Sequence, residues 1–144
     1  MGWLGGLGLA LYALTMLAGL ALWRHTTEVG RPESGGQTSN LPPLLLFVHP
    51  LLAFGGAITW TAYVVLDEAW LAWTTLGWLV LGVAVGELLF VRTLRSRRQK
   101  VAAPIGPEPD QHVAENAMTL PGIALHGVLA LLLVVVVLVA ALTS

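Results

Sequence analysis

The chain contains no cysteine, and this absence excludes several kinds of site. Without thiols there is no disulfide, no thiolate zinc centre, no cysteine-bound iron–sulfur cluster and no covalently attached c-type haem. The single lysine, Lys100, falls in a predicted loop, which excludes a retinal Schiff base. The phosphate-binding and hydrolase motifs GxxxxGK[ST], GxGxxG, HExxH and GxSxG are also absent. Any metal chemistry must therefore use histidine and carboxylate side chains.

Charged residues are scarce too, at 10% of 144 residues, whereas soluble domains carry about 25%. The mean hydropathy is +0.79, and four apolar segments each reach the roughly 20 residues that a membrane-spanning helix needs. These segments are 3–23, 41–66, 69–91 and 119–143. We predict an all-α integral membrane four-helix bundle, a single transmembrane domain over residues 1–144 with loops at 24–40 and 92–118.

The seven basic residues follow only the first and third spans. They are Arg24, Arg31, Arg92, Arg95, Arg97, Arg98 and Lys100. The positive-inside rule places this face in the cytoplasm, so both termini are predicted to be extracytoplasmic. The preference for arginine over lysine is typical of GC-rich bacterial genomes. We therefore expect a multi-pass protein of the bacterial cytoplasmic (inner) membrane.

Three ionisable side chains, His49, Glu87 and His126, interrupt the predicted spans. The alternation of direction makes spans two and four parallel, and each histidine lies about seven or eight residues after the start of its span. At about 1.5 Å per residue, both lie roughly 10–12 Å inside the cytoplasmic boundary, and Glu87 lies roughly 7–8 Å inside it. Intramembrane ionisable groups are costly and commonly mark a functional site in the bundle interior.

Small residues accompany both histidines on their helix faces. Gly122 and Ala130 lie one turn before and after His126, and His49 is followed by two further small residues, Ala53 and Gly56. A flat cofactor between helices needs small side chains beside it, and two facing imidazoles suit axial ligation of haem iron. The sequence therefore predicts a haem b site with His49 and His126 as metal ligands, lined by these small residues and Glu87, in an electron-transfer subunit.

Two other interpretations remain open. Histidine can be buried neutral and bonded to a backbone carbonyl, so the chain could be a cofactor-free structural or assembly subunit of a larger membrane complex. Glu87 beside two imidazoles could instead complete a metal, quinone or proton site, or it could extend to the interface beside Arg92. In each case a non-catalytic subunit or electron carrier is favoured over a stand-alone enzyme.

The partners follow from the same composition. The bilayer itself is one, and four spans with little extramembrane mass favour other membrane subunits or a homo-oligomer. The basic run is short and serves topology, so no nucleic-acid partner is expected.

The chain resembles the small membrane b-type cytochromes and haem-binding anchor subunits. The resemblance extends across all four helices, and its matching features are LFVHPLLAFGG around His49 and IALHGVLALL around His126. That resemblance implies a four-helix bundle with haem between helical histidines. The b561-like cytochromes carry two haems and need four helical histidines, whereas this chain has two within its spans. At most one bis-histidine haem is therefore implied.

Overall fold

A computed structural model describes residues 2–27, 41–101 and 118–144. This part of the chain forms four α-helices: α1 (Trp3–Thr27), α2 (Pro43–Leu66), α3 (Ala69–Val101) and α4 (Leu120–Thr143). Each is long and apolar enough to cross a membrane. The predicted all-helical fold, with four helices of membrane-spanning length and hydropathy, is thus confirmed. Most of both predicted loops, at 28–40 and 102–117, lies outside the described residues, as does His112.

Local chemistry explains the helix ends. Pro43 opens α2 and a proline also falls in the first turn of α4, where the missing N–H is not needed. The Thr119 hydroxyl caps α4 by accepting a hydrogen bond from the Gly122 N–H at 3.2 Å. Asp67 ends α2 in the left-handed region at φ 57°, and its N–H donates to the Tyr63 carbonyl. This tight connection makes α2 and α3 an antiparallel hairpin.

The helices pack in the cyclic order α1, α2, α3, α4, with α1 also against α4. Within the described residues, α1 and α3 lie diagonally opposite one another, as do α2 and α4. We call the end with the 67–68 turn the hairpin end. The opposite end, where α1 and α3 finish, is the basic end.

Helix α3 is longer than the predicted span, because it continues from residue 91 to Val101. The segment TLRSRRQK contains good helix formers and no glycine or proline, so nothing stops the helix until the Pro104 region. Thr93 and Ser96 are buried on this extension, and the Arg97 guanidinium donates to the Met118 carbonyl. Residues 92–101 therefore belong to α3 rather than to the predicted loop.

Large apolar side chains cover the outside of the bundle. Leu17, Ile58 and Leu131 are 63, 69 and 58% exposed, as expected of helices that face lipid. Trp60 is fully buried at the centre of the hairpin half, and its indole N–H donates to the Gly5 carbonyl at 3.3 Å. The core around Trp60 holds the four helices together.

Candidate functional site

Two histidines from diagonal helices meet in the interior of the basic half. His49 lies on α2 and His126 on α4, and their ring centroids are 6.0 Å apart with an interplanar angle of 73°. Both side chains are half-buried. The backbones of α2 and α4 do not approach each other closely, so the two rings meet across the bundle axis.

His126 is held in a defined orientation by α1. Its Nδ1 lies 3.0 Å from the Thr15 carbonyl oxygen. Because a carbonyl can only accept, Nδ1 is the protonated nitrogen and Nε2 of the neutral ring keeps its lone pair. The ring also packs against Gly19, where a Cβ atom would lie only 3.0 Å from Cε1. Glycine at this position allows the imidazole to approach the α1 backbone.

His49 packs in the same manner against α3. A Cβ on Gly86 would lie 3.2 Å from the His49 Cε1 atom, and the ring approaches the Gly82 backbone. Its buried Nδ1 has no hydrogen bond of normal geometry to any described residue. Each histidine ring therefore packs against a glycine of the neighbouring helix, Gly19 for His126 and Gly86 for His49. We call these two glycines the glycine seats.

The two seats correspond to one another. On α1 the contact residues are Thr15 and Gly19, and on α3 they are Gly82 and Gly86, so each pair is four residues and about one helical turn apart. The site thus has an approximate twofold arrangement that exchanges α1 with α3 and α2 with α4. Sequence reasoning missed Thr15 and Gly19. The small residues at matched depth on the first and third spans were the available signal.

Glu87 is not brought to the histidines. It follows Gly86 on α3, but its side chain is exposed on the bundle surface. Among the described residues there is no group of three or more histidine, aspartate or glutamate side chains that could hold a metal ion. The geometry therefore offers two imidazoles without the carboxylate.

The predicted small residues are spread over two levels. Gly56 is buried against Tyr12, whose hydroxyl would be 2.6 Å from an added Cβ. A Cβ on Gly122 would meet the Thr119 hydroxyl at 2.9 Å, so this glycine serves the cap of α4. Ala53 and Ala130 are half-buried. The space for the imidazole rings is left instead by the glycines of α1 and α3.

The level of the histidines also lacks a filled apolar core. No apolar side chain is buried in helix segments 15–24, 43–53, 82–92 and 120–130, all of which are described. Every described apolar side chain of the four helices that is buried lies nearer the hairpin end. The interior at the histidine level is therefore formed by half-buried and small residues, and bundle interiors of this kind are where prosthetic groups are held.

The separation of the two rings agrees with both histidines binding one iron. A metal held about 2 Å from each of two imidazole nitrogens places the ring centroids about 6 Å apart, and the observed separation is 6.0 Å. Liganding histidines characteristically donate their other N–H to a carbonyl, as His126 does to Thr15. The residues present thus fit one iron between two histidines.

A separate cavity of about 380 Å³ opens at the hairpin end, between Gly5, Tyr63, Asp67 and Thr143. It does not include either histidine, so it is not part of this site.

Comparisons of the chain with protein-family models, curated proteins and solved structures found no match.

Proposed function

We propose that this protein is a membrane electron-transfer subunit that holds one haem b between His49 and His126. The observation that carries the proposal is the meeting of the two imidazoles across the bundle axis, with centroids 6.0 Å apart. The bond from His126 to the Thr15 carbonyl supports it, because this bond leaves Nε2 for a metal.

The protein residues would position and tune the group. Haem bound by two histidines supplies one-electron exchange, and its potential depends on the surroundings of the ligands. Thr15 fixes the rotation of the His126 ring, while Gly19 and Gly86 let both rings sit close to the helix backbones. The aliphatic outer surface keeps the site in a low-dielectric layer.

The orientation in the membrane follows from charge. Arg92, Arg95 and Arg98 are exposed on the end of α3, and Arg24 is exposed at the end of α1. We propose that this basic end faces the cytoplasm of a bacterial inner membrane, with extracytoplasmic termini and the histidines near the cytoplasmic leaflet, and the positive-inside rule supports this orientation. Other membrane subunits, or further copies of the chain, would exchange electrons with it.

A cofactor-free structural subunit is the second candidate. It is favoured by the edge-on packing of the two rings at 73°, because such contacts are themselves a stabilising arrangement of aromatic rings. In that case the histidines would act as core side chains of the basic half.

The absorption spectrum of the purified protein separates these candidates. We expect a Soret band that shifts on reduction with dithionite. His49→Ala and His126→Ala should each abolish the low-spin spectrum, because each removes one axial ligand, while the matched control His112→Ala should keep it. Colourless protein, after expression with ample haem supply, would overturn the proposal and favour the structural subunit.

A further inference from the structure

Thr15 differs from the other threonines of the helices. Where their side chains are described, the others donate the hydroxyl to a carbonyl three or four residues earlier in the same helix. They are Thr59, Thr61, Thr74, Thr75, Thr93 and Thr143. The Thr15 Oγ1 atom is buried and has no partner among the described residues. Its hydroxyl therefore has unused hydrogen-bonding capacity inside the bundle.

Tyr12 has the same unused capacity one turn away. Its side chain is only 4% exposed, and its hydroxyl has no partner among the described residues. It lies three residues before Thr15, so both side chains lie on the same side of α1. Its oxygen points against Gly56 of α2, which places it in the interior. Buried hydroxyls are nearly always hydrogen-bonded, to protein or to ordered water.

Thr15 also connects this part of α1 to the histidine pair. The buried His49 Nδ1 belongs to the ring that faces His126, and His126 is bonded to the Thr15 carbonyl. Both α1 hydroxyls precede the Gly19 seat, on its hairpin-end side. The bundle interior at this level is lined by neutral groups that can donate or accept hydrogen bonds.

We infer that Tyr12 and Thr15 bind ordered water inside the bundle, on the hairpin-end side of the histidine pair. Water is the ligand class that fits, because it is neutral, small, and both donates and accepts, typically making about three hydrogen bonds in a protein interior. The inference goes beyond the proposed electron transfer and does not require a prosthetic group.

The test is a double-mutant cycle with Tyr12→Phe, Thr15→Val and the double variant. Reversible unfolding is measured in detergent micelles, on protein made in cells that cannot synthesise haem. Each single substitution should lower the folding equilibrium constant about three- to tenfold, because it removes a hydrogen bond to the bound water. The double variant should lose less than the product of the two, because both residues share that water.

Matched controls are Tyr63→Phe and Thr61→Val. Tyr63 is half-buried near the hairpin end, and Thr61 is exposed and bonded to its own helix. The two control changes should show no coupling when they are combined.

Three results would overturn the inference. If Tyr12 is dry, Tyr12→Phe should leave stability unchanged or raise it, because an unpaired buried hydroxyl is removed. If the coupling arises only in haem-loaded protein, the hydroxyls bind the prosthetic group instead of water. Radiolytic labelling of the wild-type protein needs no variant, since a tyrosine beside bound water is modified efficiently and a dry one is not. Absence of Tyr12 modification would likewise contradict the inference.

Discussion

The two halves of the bundle are built from the same four helices but are packed differently. The hairpin half is filled by Trp60, Leu133 and Val137, and two of its hydroxyls pair in the 2.8 Å hydrogen bond between Thr75 and Thr59. The histidine half has glycine seats and unpartnered polar atoms instead of a buried apolar core. The comparison teaches that the apolar burial that stabilises the bundle is concentrated in the hairpin half.

Replacement of Trp60 should have the largest effect on stability. Trp60 is fully buried and contacts the core of the hairpin half, so Trp60→Ala would leave a large cavity and cost about 3–5 kcal/mol. Unfolding in detergent measures this, with Trp73→Ala as the control because Trp73 is 49% exposed. Equal losses in the two variants would contradict the assignment of the stabilising core to the hairpin half.

Overpacking of the same half should have the next largest effect. A Cβ on Gly8 would lie 2.4 Å from the Trp60 indole, which is enclosed and cannot move away cheaply. Gly8→Ala is therefore expected to cost about 1–3 kcal/mol despite the better helix propensity of alanine. Gly6→Ala on the same helix is the control, since nothing lies within 4 Å of its added Cβ. A Gly8→Ala protein as stable as the control would show that this half can relax.

The four spans could be predicted from the sequence because hydropathy and length report directly on transfer into lipid. The meeting of His49 and His126 also followed from their matched depths on parallel helices. The exposure of Glu87 could not be predicted, because depth does not determine which way a side chain faces. The extension of α3 to Val101 was missed because a charged segment leaves the membrane without having to leave the helix.

Thr15 and Gly19 could not be found from residue type alone. Their importance comes from the side of α1 that packs against α4, and hydrophobicity on α1 is nearly uniform around the helix, so no apolar stripe distinguishes that side. Such information resides in the packing of helices rather than in the composition of any one span.

The smallest stability change, with a distinct functional effect, is expected in the histidine half. Gly19→Ala and Gly86→Ala place a methyl group 3.0 and 3.2 Å from a histidine Cε1 atom. The rings must shift by a few tenths of an ångström, which these half-buried side chains can do, and alanine returns up to about 1 kcal/mol of helix propensity. The net stability should therefore stay within about 1 kcal/mol of the wild type, while haem content or midpoint potential changes.

Gly127→Ala separates this effect from helix propensity, because it is next to His126 but has open space at its Cβ. It should gain stability and keep the wild-type spectrum. The nitrogen chemical shifts of His126 give a readout without haem, since Gly19→Ala should weaken the hydrogen bond from Nδ1 to the Thr15 carbonyl. If Gly19→Ala and Gly127→Ala match in spectrum, potential and histidine shifts, the glycine seats do not position the imidazoles, and the two halves differ only in packing density.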